Sequence, residues 1–165
     1  MFGLGPDWLD LATETRDLSL VMDIKLAQIE ISSPLYPSQQ HLRDEVLRKP
    51  IGRELSATDI DRDRAGTHFV AVHGNEVVAC VGFYPDGERK MRLRQMAVSP
   101  TLQGQGVGAR LLAFAETWAR GQGVAEIKTH ARVSARGFYE RSGFVAEGAE
   151  FEEVTIPHIA MRKRL

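Results

Sequence analysis

The chain has a single cysteine, Cys80, so no disulfide can form within it. Cys80 sits in the apolar run Val77-Val78-Ala79-Cys80-Val81, which favours a buried core thiol over a catalytic nucleophile. No apolar run reaches the roughly 18 residues that a membrane span requires. The N-terminus has no basic stretch leading into an apolar one, so no export signal is expected and the cytoplasm is the expected compartment. Lysines and arginines number 21 against 22 acids, a net charge of −1 with neutral histidines. That balance gives no bulk attraction to nucleic acid or to an anionic membrane. There is no Gly-Lys-Ser/Thr, which excludes a P-loop, and no early Gly-x-Gly-x-x-Gly of a dinucleotide fold. No metal ligand set is expected either.

At 165 residues the chain is long enough for one domain with a real core. Residues 1–21 read apart from the rest, as an N-terminal extension that Trp8, Leu9 and Leu11 would let dock. Residues 22–165 form the expected single domain. Strands are expected near 24–28, 69–72, 77–84, 90–98, 125–131, 144–148 and 158–164. A helix capped by Ser38 should run through Leu42 and Leu47 to Pro50, with a polar loop or short helical turn over 52–66. Within strand 90–98, Met91 and Leu93 are apolar at odd positions, Met96 and Val98 at even ones. A strand has period two, so this change of parity predicts a bulge near Arg94-Gln95 or a strand buried on both faces.

The most informative stretch is Gln103-Gly104-Gln105-Gly106-Val107-Gly108-Ala109-Arg110. Three glycines within five residues leave backbone amides uncovered, and the helix behind them adds unpaired N–H groups and a positive dipole end. Together they suit phosphate groups. Upstream lies a strand ended by Pro100. Downstream come an amphipathic helix stopping at Gly121, a strand, a short helix over 134–141, and Gly143-Phe144.

This order resembles the GNAT superfamily of N-acetyltransferases over about residues 22–165. Gln103, Gly106 and Gly108 match that family's pyrophosphate motif. Ala135, Phe138, Tyr139, Gly143 and Phe144 match its second landmark. The resemblance implies an α/β (α+β) fold: a mixed, strongly twisted sheet of six to seven strands with helices on both faces, splayed into a V between strands 4 and 5. It implies acetyl-CoA as cofactor, with CoA as product. Met96, Ala97 and Val98, the turn 103–110, Phe138 and Tyr139 would bind it. The acetyl group would pass to a primary amine of a small molecule by direct attack in a ternary complex. A homodimer through the C-terminal strands follows only by family analogy.

Tyr139 is then the candidate general acid for the leaving sulfur, against packing in the core. His130 and His158 are the candidate general bases, since histidine titrates near neutral pH, against structural histidines bonded to carbonyls. The Ile156-Pro157-His158 stretch and the segment 42–52 resemble an uncharacterised GNAT subgroup, which favours His158 slightly. Arg43 and Arg48 are candidates to hold a substrate carboxylate or phosphate, and Glu153 to attract the amine, each against a solvated surface. Lys90, Arg92 and Arg94 either line the groove or form its wet side. The family often has asparagine where this chain has Arg132, which would meet a cofactor phosphate or solvent, leaving Ser134 to cap the short helix. His68 reads as a strand-edge residue. Two other functions stay open: a protein or peptide N-acetyltransferase, and a non-catalytic acyl-CoA-binding regulatory module.

Overall fold

The structure, a computed structural model, describes residues 20, 21 and 23–165. Of the expected extension, Leu20 and Val21 pack against the core; the docking of Trp8, Leu9 and Leu11 lies outside the described residues. No helix among the described residues is long and apolar enough to cross a membrane.

Seven strands form one sheet: β1 (Lys25–Ile29), β2 (Thr67–His73), β3 (Glu76–Pro85), β4 (Lys90–Val98), β5 (Glu126–Arg132), β6 (Val145–Glu153) and β7 (Ile156–Arg164). Their order is β1-β2-β3-β4-β5-β7-β6. Every neighbouring pair is antiparallel except β4 and β5. Those two run parallel and pair only through Lys90–Arg92 and Glu126–Lys128. A last tie joins them where Thr129 Oγ1 donates to the Leu93 carbonyl at 3.1 Å. Beyond it β4 and β5 part, and the sheet opens into a V.

The expected bulge is present. Gly82 pairs with Arg94 and Cys80 with Ala97, so Gln95 and Met96 together oppose Val81. Gln95 takes a left-handed φ of 58°. The extra residue resets the alternation, so Met91, Leu93, Met96 and Val98 all face one apolar cluster. Arg92, Arg94 and Ala97 are left for the other face.

Helices cover both faces. Helix α3 (Val107–Gly121) buries Val107, Leu111, Leu112, Ala115 and Ala119 on the larger cluster, and Tyr139 of the short α4 (Arg136–Arg141) joins them. Helix α1 (Tyr36–Arg43) lays Tyr36 and Leu42 on the opposite face beside Val70, Cys80 and Ala97. Ser38 does not cap α1: the helix starts at Tyr36 with Pro37 in its first turn. The Ser38 hydroxyl instead accepts the Val77 N–H at 2.9 Å, tying α1 to β3. After Arg43 the chain widens into a π turn (Asp44–Arg48) and a 3-10 turn (Lys49–Ile51), stopped by Gly52 at φ 69°. The polar stretch 52–66 holds a further helix, α2 (Ala57–Asp63). A reciprocal capping box between Ser56 and Asp59 starts it.

Under α1 and α2 lies a buried polar node. Asp63 Oδ2 accepts Arg43 Nη1 at 2.6 Å and the Tyr36 hydroxyl at 2.5 Å, and its Oδ1 accepts the Tyr84 hydroxyl at 2.8 Å. His68, expected at a strand edge, is buried beside them, with Nε2 2.8 Å from the Asp63 carbonyl oxygen.

Candidate active site

The V opens onto a cleft of about 1170 Å³ that runs through the sheet. At one end stands the glycine turn. Gly104 and Gly106 hold φ of 77° and 83°, a backbone region other residues enter at a cost. Gly108 is required for another reason: a Cβ there would meet Val98 Cγ2 at 3.1 Å and Met96 Cε at 3.2 Å. Its absence lets α3 approach β4 closely. Gln103 Nε2 donates to the Val98 carbonyl at 3.0 Å, and Gln105 Nε2 to the Thr101 carbonyl at 3.1 Å, so both side chains brace the turn. The amides at the start of α3 therefore face open space beside the end of β4.

Along β4, the Ser99 N–H donates to the Val78 carbonyl of β3 at 2.8 Å. Antiparallel pairing alternates, so the N–H groups of Val98 and Met96 point away from β3 into the V. Tyr139, on α4, lines the cleft although it is almost wholly buried. Burial pushes its phenol well above the ordinary value, and contact with Thr129 only partly offsets this. Tyr139 is therefore a phenol at neutral pH and a donor, not a base.

At the other end three residues from three strands meet. His130 Nδ1 lies 3.2 Å from Glu153 Oε1, and His158 Nε2 lies 3.7 Å from Glu153 Oε2. The pairings Arg132↔His158 and Phe151↔His158 bring β5, β6 and β7 into this register. Phe151 packs edge-on to His130 and stacks with His158. Glu153 is held by the tight turn Val154-Thr155, in which both residues take left-handed φ (48° and 64°). A left-handed conformation is costly for β-branched side chains, so this turn is held against backbone preference. His158 Nδ1 lies 2.7 Å from the Ile156 carbonyl, which accepts its N–H, and Nε2 faces Glu153. His130 presents the opposite arrangement. Its Nδ1–H is directed to Glu153 and its Nε2 is the free acceptor, a histidine oriented by a carboxylate.

Known proteins share this architecture. The sequence model of the acetyltransferase (GNAT) family matches residues 26–144. The chain belongs to the GNAT family. An uncharacterized acetyltransferase from Streptococcus pyogenes is 26% identical over 92 residues, covering 55% of this chain and 63% of its own. The chain spans just under two thirds of the length of the curated relatives it matches. Among solved structures, an acyl-CoA N-acyltransferase from Pseudomonas aeruginosa superposes with a TM-score of 0.73 at 22% identity, over 85% of this chain and 99% of that one. A GNAT family acetyltransferase from Elizabethkingia anophelis with acetyl-CoA bound gives 0.66 at 20% identity, over 87% and 99%. At these identities the two structures establish the fold.

In this GNAT domain most of the residues singled out from sequence line the one cleft. They are Met96 to Val98, Gln103, Gly104, Gly106 to Ala109, Phe138 and Tyr139, together with Arg48, His130, Glu153 and His158. Gln105 and Arg110 do not line it; Arg110 instead reaches the Val21 carbonyl at 3.3 Å. Arg43 is a correction. It is 1% exposed and ion-paired to Asp63 beneath α1, so no substrate group reaches it. Arg132 does not point to solvent but donates to the Leu47 carbonyl at 2.8 Å, on the cleft wall. Ser134 does not cap α4, whose N-cap is Ala135 with no side-chain bond. Among the cleft residues without a sequence signal are Asp59, which holds Arg48 at 3.2 Å, and Arg62.

Proposed function

We propose that this protein transfers the acetyl group of acetyl-CoA to a primary amine of a small molecule. One observation carries the reading. A single cleft joins a phosphate-suited glycine turn to a carboxylate-oriented histidine, with two strand amides and a buried phenol between them.

The residues present fit an acyl-CoA. The missing side chains at Gly104 and Gly106 leave room beside the α3 amides, where a pyrophosphate would be held, and Gly108 lets α3 close on β4. The V beside Met96 and Val98 suits the extended arm of such a cofactor. When bound, the thioester supplies an already activated acetyl group. The Val98 N–H, preorganised in the V, is the donor for the carbonyl oxygen as it gains charge. His130 Nε2 takes the proton that the substrate ammonium must lose before its nitrogen attacks, while Glu153 fixes the ring. Tyr139 donates a hydrogen bond to the departing sulfur. Its raised pKa makes complete proton transfer to a thiolate, ordinarily near 8.5, uphill, so its contribution is stabilisation of the leaving group. The His130 assignment displaces His158, whose Nδ1 is committed to the Ile156 carbonyl and whose ring is 5% exposed.

Calorimetric titration with acetyl-CoA tests the reading, with Gly106→Glu as control. Micromolar binding that disappears in the variant supports it. Absence of binding in the wild type would mean that the glycine turn is only a turn.

A further inference from the structure

The chain is nearly neutral, but the cleft is not. Seven arginines and three acids line it. Three of the seven arginines are spoken for. Arg48 meets Asp59 at 3.2 Å and Gln95 Oε1 at 3.4 Å, Arg92 meets Asp86 at 3.1 Å, and Arg132 meets the Leu47 carbonyl. Arg53, Arg62, Arg94 and Arg141 differ: among the described residues none of these guanidiniums has a hydrogen-bond or ion-pair partner, and Arg62 and Arg94 lie close enough to repel each other. Both line the main cleft, and with Arg92 and Tyr84 they also line an adjoining recess of about 260 Å³.

These charges act on one another. Partial burial first, then repulsion from Arg62 and Arg92, holds the Arg94 guanidinium below its ordinary value; Glu153 acts in the opposite sense. A solvated convex face would separate like charges, whereas here they share a concave wall.

The cofactor phosphates do not account for this wall. Arg92 and Arg94 share the face of β4 opposite to Leu93, Met96 and Val98. The glycine turn lies past the far end of the strand. Five residues lie between Arg92 and Val98, roughly 20 Å of extended chain, and three between Arg94 and Val98, roughly 13 Å. The nearer group is the candidate base: His130 and Arg132 alternate with the buried Ile127, Thr129 and Ala131, which places them on the same face as Arg94.

We propose that the acceptor is an amine that also carries an oxyanion, a carboxylate, phosphate or sulfonate, seated against Arg62 and Arg94 with its nitrogen toward Glu153 and His130. This names the substrate class of the site and rests on the acetyl-transfer reading. A guanidinium pair from a helix and a strand suits the planar or tetrahedral oxygens of such a group. Neutral amines and polyamines would meet uncompensated positive charge there.

The test has a binding arm and a turnover arm. In the first, protein saturated with CoA is titrated with inorganic phosphate, sulfate or acetate at constant ionic strength against chloride, and its melting temperature is followed. The expected result is a saturable rise of about 3–6 °C at ten times the half-saturating concentration, absent in R62Q/R94Q. Failure of the wild type to respond, or an equal response in the double variant, overturns the proposal. In the second arm, thiol release is measured for paired amines: β-alanine with 3-aminopropanol, and O-phosphoethanolamine with ethanolamine. The anionic member should be preferred at least tenfold in kcat/KM in one pair, and the preference should fall toward unity in R62Q/R94Q. Equal use of the neutral members overturns the proposal, and the pair that responds distinguishes carboxylate from phosphate. If acetyl-CoA itself does not bind, the acetyl-transfer reading fails instead. The anion titration on the unliganded protein then still reads the arginine pair.

Discussion

Arginines occupy two regions of this protein on opposite terms. Beneath α1, Arg43 is closed in, with Asp63 compensating its charge and Tyr36, Tyr84 and His68 completing the surroundings. Burial works against the guanidinium, and the Asp63 contact more than offsets it. In the cleft, Arg62 and Arg94 stand on a concave wall with no direct ion pair among the described residues, Glu153 acting on Arg94 only at a distance. The closed node fastens α1 and the end of α2 to β2 and β3, so those helices can form one side of the cleft. The open wall is left for a ligand. The difference teaches that compensation separates structural from functional charge better than burial alone.

The comparison breaks most visibly at Asp63. Asp63→Ala leaves Arg43 buried with no counter-charge and orphans two tyrosine hydroxyls. A loss of about 3–5 kcal/mol is expected in denaturant unfolding, enough to threaten folding. R62Q/R94Q, in the open region, should stay within about 0.5 kcal/mol of the wild type in the same measurement. Similar losses from both would show that the two regions do not differ in kind.

Sequence reached the cleft better than the node, for a physical reason. Local pattern reports what lies within a few residues. The parity change from Met91-Leu93 to Met96-Val98 encoded the bulge at Gln95, and the glycine spacing encoded the turn. His130, Glu153 and His158 were each visible as reactive types. Their meeting at one carboxylate depends on the β5–β7 and β6–β7 registers, and no local pattern carries those. Arg43 and Arg48 looked alike on one helical segment, yet the π turn between them turns one into the core and the other to the cleft. His68, Tyr36 and Tyr84 gave no sign of a shared acid, because Asp63 lies at the end of a helix within a stretch that reads as polar loop. The Ser38 cap failed because Pro37 starts the helix earlier, freeing the Ser38 hydroxyl for β3.

Within the cleft the effects should fall on rate rather than on stability. His130→Ala is expected to lower kcat/KM by about 10²–10⁴ while acetyl-CoA affinity stays near wild type. Glu153→Gln should lower it less, since the ring keeps a hydrogen-bond partner. A His158→Ala variant that loses as much as His130→Ala would return the base role to His158. Tyr139→Phe removes one hydrogen bond to developing negative charge, about 1.5–3 kcal/mol, so kcat should drop by roughly 10–10². No change in kcat would leave Tyr139 with packing alone.

The last effect belongs to the closed node and appears only at high pH. Burial pushes the Cys80 thiol from 9.0 up to about 12, with Arg43 pulling the other way. Burial and Asp63 raise the Tyr36 and Tyr84 phenols further still. Each of these groups holds its proton more tightly folded than unfolded. Their contribution is therefore complete below the unfolded pKa and is lost as pH rises toward the folded one. Stability should be flat with respect to Cys80 below pH 9. It should then fall by about 1.4 kcal/mol per pH unit from this thiol alone, and more steeply once the tyrosines titrate in the unfolded chain. Cys80→Ala should remove only the first part of that slope, and R62Q/R94Q should leave all of it. An alkaline limb that moved with the cleft arginines instead would mean that the two regions share one electrostatic field, and the contrast between closed and open charge would not hold.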